Sequence, residues 1–329
     1  MVWGKMLNKK IALMGAGALV FVSALFLSIY LLLTLHESSV EGSYIFEVSK
    51  GAGVISTAQK LDREGVLKNP ILFRIYAELS RDTSMKAGFY EITSTDTLPS
   101  IYDKIIRGKS VSYNVTIPEG LRSSELLQIL INSPYIVNDL AEREVDFSED
   151  VFYLPETYAY SHGENISGIL KRMNKFAHSV LDDAWASRDK SSPLNNKKEL
   201  MTLASIIEKE TAEPSERGTI SGVFVNRLNK GMRLQTDPTV IYGASNYNGD
   251  ITRKHLKEKH PYNTYVIKGL PPGPICHPGA DAIKAAANPE MHNYYYFVAS
   301  GDGGHNFSKT HIEHIKNVQN YLKKMKQRK

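Results

Sequence analysis

From Ile11 to Leu35 the chain reads IALMGAGALVFVSALFLSIYLLLTL, twenty-five residues without a charge. Coiled as a helix rising about 1.5 Å per residue, that run is longer than the roughly 30 Å hydrocarbon core of a bilayer. A membrane span is therefore predicted, and any packed core must come from the residues after it. A cleavable signal peptide is the competing reading, but its apolar region would be about 7 to 15 residues long and end at a small-residue site. This run is longer, and His36 and Glu37 come directly after it. Lys5, Lys9 and Lys10 precede the span while Glu37 and Glu41 lie beyond it. Positive charge ahead of the span predicts a cytoplasmic N-terminus, with everything after residue 36 outside the cytoplasm.

The remaining chain is long enough for two packed units at most. Its single cysteine, Cys276, excludes an internal disulfide. A reactive thiol is a poor reading of GPICHPGA, which has no second cysteine to pair with. The net charge of +5 owes much to the tail YLKKMKQRK. Such a tail is either a solvated end or a contact for an anionic surface, and the sequence leaves both open. No basic motif with interleaved aromatics occurs, so nucleic acid is not expected as a partner. The HIEH stretch at His311 to His314 lacks the one-turn spacing of a helical zinc pair, and neither metal nor cofactor is predicted.

A strand, turn and helix theme repeats after the span. FEVSKGAGVISTAQKLDREGVL predicts a strand from Phe46 to Val48 and a helix with Ile55, Ala58 and Leu61 on one face. YEITSTDTLPSIYDKIIRGKS repeats it with Leu98, Ile101 and Ile105. VTIPEGLRSSELLQIL does so again, with Glu119 and Gly120 in the turn and Leu126, Ile129 and Leu130 on the helix. Between the first two copies, NPILFRIYAELS predicts a helix with Pro70 in its first turn. Such modules need neighbours to cover their sheets, so residues 43–112 are expected to form one small α+β unit, the third copy opening a larger α+β domain over 113–325. The segment from Ser133 to Asp150 turns acidic and reads as surface. A long helix is predicted from Gly168 to Trp185, then a polar loop from Ser187 to Lys198. NYYYFVAS, from Asn293 to Ser300, reads as a buried strand whose tyrosines belong to the core.

LASIIEKETAEPSERG, from Leu203 to Gly218, brings four glutamates to a helix break. Leu200, Leu203, Ala204 and Ile207 share a face, and Pro214 cannot continue the helix, which should end near Thr211 or Ala212. A second helix begins at Pro214, with Ile220, Val223, Phe224 and Leu228 on one side, and stops at Gly231. Glu210 then stands in a last turn, where the helix dipole and burial would both raise a carboxyl pKa toward that of a working acid. Geometry alone does not choose it. Glu208 and Glu210 lie about 200° apart on the helical wheel and flank the apolar stripe almost evenly. Downstream, Asp237 before Pro238 reads as a helix N-cap. The Pro, Gly, Tyr and Asn density of HPYNTYVIKGLPPGPICHPGADAI suits either a carbohydrate groove or an ordinary ordered loop.

The segment LASIIEKETAEPSERGTISGVFVNRLNKGMRLQTDPTVIYG, with PYNTY, GLPPGPI and PGADAIKAAANP after it, resembles the membrane-bound endolytic murein transglycosylases of bacteria. The resemblance runs from the span to the C-terminus. It implies a cytoplasmic stub over residues 1–10, an inner-membrane anchor over 11–35, a LysM-like subdomain over 43–112 and a periplasmic catalytic domain over 113–325. It also implies that the catalytic acid is the second Glu of EKET, Glu210, and places Gln235, Asp237, Tyr262, Asn263 and Tyr265 along the glycan groove. The substrate implied is peptidoglycan, opened at the β-1,4 bond after N-acetylmuramic acid to leave a 1,6-anhydro end. Penicillin-binding proteins and other cell-wall synthases are the implied partners. In YLPETY the family more often has a phenylalanine before the proline and an aspartate after it, so Glu156 is read as structural. Two other functions are weighed. One is a muramidase pairing Glu210 with Glu208, Glu216 or Asp237 and consuming water; the other is a non-catalytic scaffold that binds glycan.

Overall fold

The structure, a computed structural model, describes residues 2–140 and 151–328. The chain divides into two compact units, Met1–Tyr113 and Asn114–Lys329.

The first unit begins with α1 (Val2–Thr34), which takes up the apolar run. Leu19, Phe21, Phe26 and Tyr30 are exposed along it and Leu33 is buried. Among the described residues no helix is long and apolar enough to cross a membrane. After it come β1 (Ser43–Val48), α2 (Val54–Arg63), α3 (Pro70–Ser80), β2 (Gly88–Thr93) and α4 (Leu98–Arg107). β1 and β2 pair antiparallel, with Phe46 opposite Tyr90 and Val48 opposite Gly88. Alternation along each strand turns Phe46, Val48, Tyr90 and Ile92 inward onto Leu61, Phe73, Ile101 and Ile105 of the helices. On α2 the buried stripe is Thr57, Ala58 and Leu61, while Ile55 is exposed. At about 100° per residue Ile55 lies some 120° round from Leu61, too far to share its face. The polar turn before α4 is built on Asp96, which accepts from the Thr93 N–H at 2.8 Å and from Lys104 Nζ at 2.5 Å. Burial opposes ionisation of Asp96, yet bonds from Lys104, Ser100 and Thr93 hold its carboxyl down at about 2.

The second unit begins within β3 (Ser112–Thr116) and continues through α5 (Ser123–Asn132), β4 (Ile136–Val137), β5 (Thr157–Ser161), β6 (Glu164–Asn165) and α6 (Ile166–Ala186). Residues 141–150 of the acidic segment lie outside the described residues. Then come α7 (Lys197–Glu210), a 3-10 turn (Pro214–Glu216), α8 (Arg217–Asn229), α9 (Asp237–Gly243), α10 (Arg253–Lys257), α11 (Ala280–Ala287), β7 (Tyr296–Ala299), β8 (His305–Ser308) and α12 (His311–Gln327). Its sheets are two-stranded: β3 with β5, β4 parallel to β6, and β7 antiparallel to β8. The strand expected from Asn293 begins at Tyr296 and is half-buried on both faces.

α7 forms the axis of this unit. The periodic pattern gives it one apolar face, but every residue from Leu200 to Ile207 is buried. α6, α8 and α11 surround it, and α11 comes close because it presents Ala282, Ala286 and Ala287. Both buried polar residues inside α7 have partners: Thr202 Oγ1 donates to Lys198 O at 2.8 Å, and Ser205 Oγ donates to Thr202 O at 2.7 Å and accepts from the Ile275 N–H at 3.0 Å. That bond fastens the 275–277 loop to the axis.

Candidate active site

α7 ends at Glu210, where Thr211 turns extended (φ −141°, ψ 133°) and its N–H closes the last turn on Ile207 O at 3.3 Å. The Thr211 hydroxyl accepts from the Glu213 N–H at 3.0 Å, and Glu213 caps the 3-10 turn by accepting from Ser215 Oγ at 2.8 Å. The predicted corner is formed by Pro214, which supplies the first residue of that turn.

The tertiary structure gives the four glutamates different partners. Glu208 accepts from the Gly279 N–H at 3.0 Å and from Arg217 Nη2 at 3.4 Å, and Arg217 also reaches Glu119 at 3.1 Å. Glu216 accepts from the His305 backbone N–H at 2.7 Å and pairs with His305 Nδ1 at 2.7 Å. Glu213 is occupied by its cap. Glu210 bonds the hydroxyl of Thr236, which donates to its Oε1, and among the described residues no basic side chain forms a salt bridge with it.

Burial acts on Glu210 more strongly than anything else, although part of its surface stays open to solvent. The Asp237 carboxylate adds to the effect; the Thr236 hydroxyl, His305 and the Arg227 guanidinium oppose it. The carboxyl is pushed up to about 7. Burial raises the Glu208 carboxyl as well, but there the Gly279 N–H and Arg217 pull it back. The wheel left these two acids equivalent, and their contacts distinguish them.

Thr236 is held rigidly. Gln235 takes a left-handed conformation (φ 51°), uncommon for a residue with a side chain, and turns the backbone so that its N–H meets Thr264 O at 3.2 Å. The Thr236 N–H then donates to Thr264 Oγ1 at 3.0 Å, and Thr264 shares a hydrogen bond with Thr239 at 2.8 Å. Arg227, buried in α8, braces the same stretch through Leu234 O at 2.5 Å and Tyr295 O at 2.6 Å. Asp237 is the first residue of α9, not its N-cap: the cap position is Thr236, because the chain has already turned one residue earlier at Gln235. The exposed Asp237 carboxylate accepts from Tyr265 Oη at 2.6 Å, and burial keeps that phenol protonated well above its usual range.

Of the five groove residues expected, Asp237 and Tyr265 form a pair beside Glu210, and Gln235 is exposed two residues before Asp237 in the chain. Asn263 is buried and holds its own loop: its amide donates to His255 O and Glu258 O at 3.0 and 2.7 Å and accepts from the Tyr265 N–H at 3.0 Å. An amide used at both ends is a fastener for Tyr265. Tyr262 faces elsewhere, its ring tilted 48° from that of Tyr242 with centres 4.7 Å apart, at the edge of a cavity of about 500 Å³. The residues missed by sequence reasoning are Thr236, Arg227 and His305, none of them near Glu210 in the chain. Thr236 stood between two residues that were singled out, but a threonine before Asp-Pro carries no signal of its own.

Cys276 is buried with its thiol donating to Ser205 O at 3.4 Å, and burial pushes its pKa up, so it is no nucleophile. Among the described residues no cluster of His, Cys, Asp or Glu could hold a metal ion.

With this geometry in hand, three kinds of likeness are found. The family model described as the YceG-like family matches residues 46–320. The endolytic murein transglycosylase of Bacillus subtilis (strain 168) is 29% identical over 303 residues, covering 84% of this chain and 84% of that protein. A protein of the same name from Streptococcus pneumoniae serotype 2 is 26% identical over 320 residues, and the match spans 58% of its length. The 2.6 Å crystal structure of a yceG-like protein of Listeria monocytogenes superposes with a TM-score of 0.51 at 30% identity, covering 84% of this chain and 99% of that one.

Proposed function

Because this chain belongs to the YceG-like family, we propose that it is a lytic transglycosylase that cuts peptidoglycan strands internally, with Glu210 as its acid and then its base. Relatives that share most of the chain are named endolytic murein transglycosylases, which supports the reaction class. The observation that carries the assignment is the Glu210 carboxyl, held at about 7 at a helix corner with a hydroxyl as its partner.

The protonated carboxyl donates to the bridging oxygen as the bond from that oxygen to the muramyl anomeric carbon breaks. The muramyl 6-hydroxyl attacks that carbon, and its proton passes to the Glu210 carboxylate, which restores the acid. No water is consumed, and the attack is intramolecular, with the high effective concentration this brings. Thr236 donates to Oε1 and so steadies the carboxylate in the interval between the two transfers.

A second reading has one observation in its favour. Asp237 is exposed and close enough to raise the Glu210 carboxyl, as the partner carboxylate of a hydrolase would be. Glu208 and Glu216 are bound to Arg217 and His305 and do not compete for that role. Digestion of intact sacculi by the full chain in detergent, with mass analysis of the products, distinguishes these reactions. Anhydro ends that disappear in Glu210→Gln are expected; reducing ends would establish the hydrolase, and binding without any cleavage would establish a scaffold.

Anchoring belongs to the same proposal. The uncharged run, the three lysines before it and the exposed apolar side chains of α1 support an inner-membrane anchor with the second unit outside the cytoplasm. The strand, two helices and returning strand of residues 43–93 support a LysM-like reading of the first unit. Cell-wall synthases of the penicillin-binding class are proposed as partners on the strength of the sequence resemblance.

A further inference from the structure

The cavity of about 500 Å³ in the second unit is not lined by Glu210 and has no part in the reaction above. Its walls include Arg122 and Ser123 at the start of α5, Tyr242 at the end of α9, His260 and Tyr262 from the loop after α10, and His277. α9 joins the two places. Asp237, its first residue, stands beside Glu210, and Tyr242 is five residues on, about 8 Å away at the helical rise.

The hydrogen bonds fix which way the donors in this cavity point. The Tyr153 N–H donates to His277 Nδ1 at 3.4 Å, so that nitrogen carries no proton. Burial keeps the ring neutral, with a pKa of about 4. The ring proton therefore sits on Nε2 and is given to Ser123 Oγ at 2.9 Å. This polarity rules out the serine as a nucleophile, because the imidazole facing it is a donor and has no lone pair to accept the hydroxyl proton. It leaves the Ser123 hydroxyl with a proton for an acceptor in the cavity. Arg122 lies with its guanidinium 5.0 Å from the Tyr242 ring centre and uses Nη2 on Ile241 O at 3.3 Å. A planar cation with five N–H donors, laid on an aromatic face beside a hydroxyl donor, recognises a carboxylate. The Tyr242 and Tyr262 rings supply an apolar wall next to it. A lactyl group would fill a small part of this volume, whereas a peptide of a few residues is of the size such cavities take.

We infer that this cavity is a subsite for a short carboxylate-bearing peptide, the stem attached to the muramyl residues of the strand, with Arg122 and Ser123 holding its carboxylate. The inference rests on the proposed peptidoglycan substrate. It adds that the enzyme reads the peptide as well as the sugar.

Two measurements on the full chain in detergent test it. The first is the ratio of kcat/KM for uncrosslinked strands bearing stems to that for the same strands stripped by an amidase. That ratio should be about ten in the wild type and fall toward one in Arg122→Gln and Ser123→Ala, the scale of one charge-assisted contact. The second is calorimetric titration of free L-Ala-γ-D-Glu-L-Lys into the Glu210→Gln chain, where either cavity substitution should weaken binding about tenfold. A wild-type ratio near one, variants that lower both rates alike, or binding of N-acetylmuramic acid as tight as that of the peptide would overturn the inference. If neither strand is cut, the proposed reaction fails; peptide binding lost with Arg122 would still uphold the subsite, and no peptide binding would remove it.

Discussion

At Glu210 burial outweighs the Thr236 hydroxyl, His305 and the Arg227 guanidinium, so the acid is half protonated near pH 7. An enzyme that starts its cycle from the protonated form should lose kcat/KM as pH rises through about 7. Thr236→Val removes a bond that favours the ionised form. Its alkaline limb should therefore move to higher pH while Thr236→Ser keeps the wild-type profile, as a pH–rate series would show. The same shift bears on stability. A folded pKa above the unfolded value of about 4.3 gives a contribution that is complete below that value and lost as pH rises to about 7. Above pH 7 the ionised carboxyl is a cost that a glutamine does not carry. Glu210→Gln should be inactive yet more stable than wild type there, by up to about 3 kcal/mol, with the difference vanishing near pH 4. Chemical denaturation at the two pH values measures it. Equal stability at both would mean that the side chain is well solvated.

Among the elements, α7 shows how far periodicity reaches. The spacing of Leu200, Leu203, Ala204 and Ile207 gives the helix and Pro214 gives its end, because both are set within a few residues. Burial of Met201, Thr202, Ser205 and Ile206 was not legible, since it depends on α6, α8 and α11 closing around the helix. The tie between α7 and α8 is likewise tertiary. Arg217 and Glu208 have side chains 10% and 7% exposed, and whereas Arg217 has Glu119 as a second partner, removing Arg217 leaves Glu208 buried without its counter-charge. Arg217→Ala should destabilise the second unit by about 3 kcal/mol, and adding Glu208→Gln should recover part of that, as thermal melts of the single and double variants would show. A double variant no better than the single one would mean that Arg217 acts through packing alone.

For the whole molecule, the division after Tyr113 and the exposed apolar surface of α1 set the next prediction. A chain lacking residues 1–35 should leave the membrane fraction and still release anhydro ends from isolated sacculi in solution. Retention in washed membranes would place the attachment elsewhere, with the basic tail as the first candidate. Local order is what the sequence determined by itself: an uncharged run, three strand and helix modules with alternating and 3.6-residue patterns, and a helix that must stop where Pro214 stands. These signals are complete within about two dozen consecutive residues, because backbone conformation and one-sided burial act at short range along the chain. Which of two neighbouring glutamates is free to work was decided only by the tertiary structure. Arg217 and Gly279 engage Glu208, whereas Thr236, fixed by Thr264 from 28 residues further along the chain, meets Glu210. A carboxyl pKa is set by desolvation and by the charges and donors within a few ångströms, and chain spacing does not say which residues those will be.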